Sequence, residues 1–177
     1  MTPASVRLRR YTLDDVPAVV EAVHESLAEL SPWMPWAHAA YSADDSRAWL
    51  RVQVPAFDKG EAYEFAIVSA EGRYLGGCGL NQIDSVNRRA NLGYWVRSSA
   101  TRQGVATAAV RAVHEWGFEH TNLIRLEIVV AAGNVASHRV AEKVGAVREG
   151  TLYRRLMLRG TAHDASVFSF TRPIATS

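Results

Sequence analysis

Seven consecutive residues, Thr101-Arg102-Gln103-Gly104-Val105-Ala106-Thr107, have the types and spacing to hold an anion. They follow the apolar run Leu92 to Val96, which reads as a buried strand. They precede Val105, Ala109, Ala112, Val113 and Trp116, whose spacing lays one apolar stripe along a helix. A polar turn between strand and helix gathers unpaired backbone N–H groups at the positive end of the helix dipole. Gly104 and Ala106 are small enough for a ligand to approach the main chain closely. That combination suits phosphate. The turn has neither of the common nucleotide-binding glycine patterns, so by itself a plain structural turn fits equally well.

Other side chains with chemical capacity are scattered. Ser31-Pro32-Trp33-Met34-Pro35-Trp36 is a stiff, bulky loop, either a lid over the core or one wall of a cleft. Indole suits a wall because it joins a large apolar face to one donor. Glu64 and Glu127 each fall on an expected strand among apolar neighbours, as proton acceptors or as surface ion-pair partners. Cys78 is the single cysteine, so an intrachain disulfide or a cysteine zinc site is excluded. It sits in the apolar run Leu75 to Leu80 and reads as a buried thiol. His114 and His120 lie about 120° apart around a helix, without the His-Glu-x-x-His spacing. No metal site is expected, and there is no Gly-x-Ser-x-Gly elbow.

The elements that must position these groups follow from periodicity. Val6, Leu8 and Arg10 alternate with Arg7 and Arg9 as a first strand. Thr12 caps a helix carrying Val16, Val19, Val20, Val23 and Leu27, which should stop near Ser31-Pro32. Ser42 or Asp44 caps a second helix through Leu50 and Val54. Residues 62–69 and 73–80 read as antiparallel strands about Glu71-Gly72, with a further turn at Asn87 to Ala90 before the strand Leu92 to Val96. After the central helix, Ile124, Leu126, Ile128 and Val130 mark another strand. A short helix from Val135 to Val144 closes at Gly145, and residues 147–158 and 164–171 finish the chain as strands. This order gives a mixed α/β sheet in a single domain over residues 1–177.

With 177 residues the chain can bury a substantial core. A net charge of +2 does not argue for nucleic acid, since the basic runs are no longer than the doublets Arg9-Arg10, Arg88-Arg89 and Arg154-Arg155. No secretory signal and no bilayer-length apolar run are present, so a cytoplasmic setting and no membrane partner are expected.

With that order in hand, Thr101 to Ala106 resembles motif A of the GNAT superfamily of N-acetyltransferases, Gln/Arg-x-x-Gly-x-Gly/Ala. Asn134-x-x-Ser137 with Ala141-Glu142-Lys143-Val144-Gly145 is similar to a second family segment. Pro32-Trp33-Met34-Pro35-Trp36 and Leu92-Gly93-Tyr94-Trp95-Val96 resemble the RimJ/RimL branch, which acetylates ribosomal-protein N-termini. The resemblance spans almost the whole chain. It implies a GNAT fold: a mostly antiparallel sheet of about seven strands with a central splay, flanked by about four helices.

It also implies acetyl-CoA as co-substrate and direct attack by a primary amine, a protein N-terminal α-amino group or a small molecule, with a homodimer allowed. The cofactor would lie on Trp95, Val96, Arg102, Gln103, Gly104, Val105, Ala106, Thr107, Asn134 and Ser137. The acceptor would lie against Trp33 and Trp36. Ser137 would serve the leaving sulfur, with Glu64 or Glu127 as base. Three positions depart from the pattern: Thr101 stands for Gln or Arg, Asn91 for a frequent Glu, and Ala141 for a frequent Tyr. Asn91 and Ala141 give weight to the alternative of a noncatalytic acyl-CoA-binding sensor.

Overall fold

The computed structural model describes residues 6–173. In chain order the elements are β1 (Val6–Arg10), α1 (Val16–Glu25), α2 (Leu27–Leu30), α3 (Ala43–Lys59), β2 (Tyr63–Ser69), β3 (Tyr74–Asp84) and β4 (Arg89–Val96). They continue with α4 (Val105–His120), β5 (Arg125–Ala131), α5 (Val135–Lys143), β6 (Val147–Leu158) and β7 (Thr161–Thr171). The seven strands form one sheet in the order β1-β2-β3-β4-β5-β7-β6, and only the β4–β5 pairing is parallel.

Five helices replace the expected four because the first is broken at Ser26. Its buried hydroxyl donates back to the Ala22 carbonyl at 2.6 Å and accepts from the Ser98 amide at 2.9 Å. A serine bonded back by four residues competes with the helical ladder and bends it. The strand bounds move too: β3 runs on to Asp84, and β7 begins at Thr161.

Each sheet face has its own core. Val105, Ala109, Val110 and Val113 of α4 pack on Phe65, Ile67, Leu80, Leu92, Leu126 and Phe168. On the opposite face Val16, Val19 and Val23 of α1 and Leu50 of α3 pack with Ala66, Val68 and Tyr74. The stripe read from the sequence on α4 is therefore the buried one. A bulge between Ile67 and Val68 leaves Leu75 of β3 without a partner on β2. Next to it Gly76 has φ +151°, and a Cβ there would lie 2.1 Å from the Trp95 carbonyl, so only glycine fits. The extra residue sets the register beyond it, placing Glu64 opposite Gly79.

Arg97 follows β4 directly and is buried. Its guanidinium reaches Glu21 at 2.5 Å and also bonds Glu25, both on α1, while Nη1 donates to the Tyr74 carbonyl at 3.1 Å. Glu25 in turn accepts from the Ser99 amide at 2.7 Å. The arginine holds the Glu25 carboxyl down to a pKa of about 2. This clasp fixes the start of the turn that leads into α4.

Candidate active site

β4 and β5 pair at only three positions, Arg89↔Arg125, Ala90↔Leu126 and Asn91↔Glu127. Beyond them the strands part while each continues, to Val96 and to Ala131. The Arg97 amide donates to the Leu75 carbonyl at 2.8 Å. By antiparallel alternation, the N–H groups of Val96 and Tyr94 therefore turn away from β3 and into the gap. The gap opens into a cleft of about 870 Å³ lined by Leu92 to Trp95, Ile128 to Ala131, Asn134 and Ser137.

At the end of β4 a tight turn over Ser98–Ala100 leads into α4. Thr101 Oγ1 and Gln103 Nε2 donate back to the Ser98 and Ser99 carbonyls, both at 2.8 Å, and so hold the turn in shape. Arg102 and Gly104 both take positive φ, +60° and +81°. Gly104 is the N-cap of α4, and no side chain caps it. Among the described residues, no backbone N–H from Arg102 to Thr107 donates to a protein acceptor. Such a run of free donors at a helix start fits a diphosphate. Arg102 is exposed beside it.

Asn134 caps α5, its Oδ1 accepting from the Ser137 amide at 3.1 Å. The Ser137 hydroxyl lies 2.8 Å from the Tyr94 hydroxyl, which also donates to the Ser137 carbonyl at 3.0 Å. Tyr94 has one hydrogen to share between that carbonyl and Ser137 Oγ, and when it goes to Oγ the Ser137 hydrogen is free for another acceptor. Burial pushes the Tyr94 hydroxyl up to a pKa of about 12, so it stays protonated. Tyr94 entered the sequence reading only as part of a motif. That it meets Ser137 depends on how α5 docks, which no local pattern reports.

The other half of the cleft is aromatic. Trp36 meets Trp95 edge-on at 5.6 Å and Tyr41 at 6.0 Å. Trp33 lies over Gly133, where a Cβ would come within 3.2 Å of the indole. The two tryptophans thus form a wall of the cleft rather than a lid over the core. Arg155 to Leu158 of β6 line the other lip, and Arg159 ties that hairpin to the tryptophan loop by donating to the Ser31 carbonyl at 2.9 Å. Trp95, expected on the cofactor, points its ring at this wall, and its backbone faces β3. Its neighbour Val96 turns its N–H into the gap.

The two candidate bases separate. Glu64 lines the cleft, with Oε1 accepting from Asn81 Nδ2 at 2.9 Å and Oε2 over Gly79, where a Cβ would lie 2.3 Å from it. Burial raises its pKa above the ordinary carboxylate range, and the Asn81 hydrogen bond offsets part of that rise. Glu127 is taken up otherwise. Arg125 Nε donates to it at 2.7 Å and Arg89 Nη1 lies 3.5 Å away, at the paired foot of the gap. Two guanidiniums hold this carboxylate, and it does not line the cleft. Asn81 was not singled out in the sequence; only the register across β2, β3 and β4 brings it beside Glu64.

Comparison with known proteins agrees with this geometry. A family model described as "Acetyltransferase (GNAT) domain" matches residues 5–147. The chain is 28% identical over 174 residues to YdaF of Bacillus subtilis (strain 168), covering 94% of this chain and 91% of that one. It is 25% identical over 154 residues to the "Ribosomal-protein-serine acetyltransferase" of Escherichia coli (strain K12), covering 85% and 86%. A solved structure, "Mycobacterium smegmatis RimJ in complex with CoA-disulfide", superposes with a TM-score of 0.85 at 26% identity, over 94% of this chain and 81% of that one.

Proposed function

The chain belongs to the GNAT acetyltransferase family, and from that premise we propose which of its residues carry an acetyl group from acetyl-CoA to a protein N-terminal α-amino group. The observation that supports this most is the parting of β4 and β5 beside the unpaired amides that open α4. The amides of Gln103 to Thr107, with Arg102, hold the diphosphate. The inward-facing edge of β4 and the Asn134 side chain pair with the amides of the pantetheine arm. Acetyl-CoA supplies the activated acetyl group as a thioester.

The Val96 N–H is the donor that faces charge developing on the thioester oxygen. Glu64 takes a proton from the attacking amine, and Ser137, backed by Tyr94, donates a hydrogen bond to the departing sulfur. An α-amino group suits this site physically. Its ordinary pKa is about 7.7–8.0, against about 10.4 for a lysine side chain, so a carboxylate can deprotonate it near neutrality. The E. coli relative, a ribosomal-protein-serine acetyltransferase by name, supports a protein acceptor.

The direct test is thiol release from acetyl-CoA in the presence of N-terminal peptides, lysine peptides with a blocked N terminus, and spermidine. Release with the N-terminal peptides above the other two is expected. Tight acetyl-CoA binding without release on any acceptor would instead make the chain a sensor. Ser137→Ala and Tyr94→Phe should each lower kcat about tenfold or more and leave acetyl-CoA affinity within about twofold, as expected for groups acting at the sulfur. An unchanged kcat in both would remove the pair from catalysis.

A further inference from the structure

Glu64, Asn81 and Asn91 stand on one face of three neighbouring strands, in the register Glu64↔Gly79 and Asn81↔Asn91. Asn81 Nδ2 donates to Glu64 Oε1 at 2.9 Å, and Asn91 Nδ2 donates to Asn81 Oδ1 at 2.9 Å. Chemistry fixes the direction of this chain. An ionised carboxylate only accepts, so the Asn81 nitrogen faces Glu64; its oxygen is then left to accept from the Asn91 nitrogen. Each amide nitrogen keeps a second hydrogen, and among the described residues neither donates it to the protein.

Both nitrogens flank one point. A Cβ built on Gly93 would lie 3.5 Å from Asn81 Nδ2 and 3.6 Å from Asn91 Nδ2. Glu64, Asn81, Asn91 and Gly93 all line the cleft. The space over Gly93 therefore offers two N–H donors close to a carboxylate. That set complements an amine with a carbonyl oxygen nearby, the arrangement at the N terminus of a peptide.

We propose that Asn81 and Asn91 determine acceptor specificity by holding the first carbonyl oxygen of a peptide acceptor over Gly93, so that peptide N-termini are preferred to amines lacking that oxygen. This rests on the reading of Glu64 as the carboxylate beside the acceptor amine. Glu64 has two tasks in it, since it also sets the direction of both amides. Removing one donor weakens recognition, and filling the point over Gly93 blocks it.

The test compares a seryl tripeptide amide with 2-aminoethanol, which keeps the amine and the hydroxyl and lacks the carbonyl. Wild-type enzyme should favour the peptide at least 100-fold in kcat/KM. Asn91→Ala should shrink that ratio at least tenfold with acetyl-CoA affinity unchanged. Gly93→Ala should raise the peptide KM at least tenfold. The added methyl makes only ordinary contacts, so the variant folds, which its melting temperature checks. Should 2-aminoethanol react too slowly to measure, the peptide KM of the two variants carries the test. Equal use of both acceptors by the wild type, or an unaltered ratio and peptide KM in the variants, overturns the proposal. Full activity of Glu64→Gln would instead overturn the reading of Glu64 and leave the variants' ratios to be judged separately.

Discussion

Gly104→Glu should cost the protein at least 100-fold in acetyl-CoA affinity, measured by titration calorimetry, with its melting temperature lowered by only about 2–4 °C. Two effects act together. Gly104 holds φ +81°, where any side chain is strained by about 1 kcal/mol. The new carboxylate would also stand among the free amides of the turn, compete for them and repel the diphosphate. A hundredfold loss corresponds to about 2.8 kcal/mol. Steric conflict is not the cause, because a Cβ at this position meets no protein atom within 4 Å. Gly104→Ala separates the contributions: it keeps the strain, adds no charge and should lose far less affinity. An affinity for Gly104→Glu within threefold of wild type would remove the turn from cofactor binding.

Glu64→Gln should lower kcat/KM by about 10²–10⁴-fold, the range a positioned proton acceptor supplies. The pH profile gives a second readout. Burial raises the Glu64 pKa, so the wild-type acid limb should lie above the ordinary carboxylate range, and glutamine should abolish it. Stability runs the other way. A carboxyl whose folded pKa exceeds its unfolded one binds its proton more tightly in the native state. Ionising it above the folded pKa therefore costs stability. Glutamine keeps the hydrogen bond from Asn81 and carries no charge, so the variant should melt no lower than wild type at neutral pH. Retention of a third or more of the activity would show that a different group, or water, takes the proton.

What was legible in the sequence is what lies within one element or its two neighbours. The strand–turn–helix around Gly104 could be read because every feature it needs is local: an apolar run, small residues and a helical stripe. Gly145 as the close of α5 was readable for the same reason. The Ser26 break was missed because its cause is the buried back-bond to Ala22 together with the Ser98 amide, 72 residues along the chain. Glu64 and Glu127 looked alike in sequence, each a carboxylate on an apolar strand. Register separates them, putting Arg125 and Arg89 beside Glu127 and glycines and asparagines beside Glu64. Period-two parity cannot be carried from Glu64 to Asn81 through the bulge at Leu75, since one extra residue reverses which side chains share a face. Trp95 entered through its motif, and strand alternation sends its ring toward Trp36 and Tyr74, on the face opposite the Tyr94 side chain.

The three-position joint between β4 and β5 has a thermodynamic consequence. Past Asn91 the two halves of the sheet share no ladder, and the main-chain groups along the opened edges are left to solvent. A bound pantetheine arm would fill that opening as a short extra strand and bridge the halves. Because the unfolded chain has no such opening, saturating acetyl-CoA should raise the melting temperature, by RT ln(1 + [L]/Kd) in free energy: about 2.7 kcal/mol at a hundred times Kd. Amide exchange should slow most at Tyr94 and Val96, and this protection should vanish in Gly104→Glu.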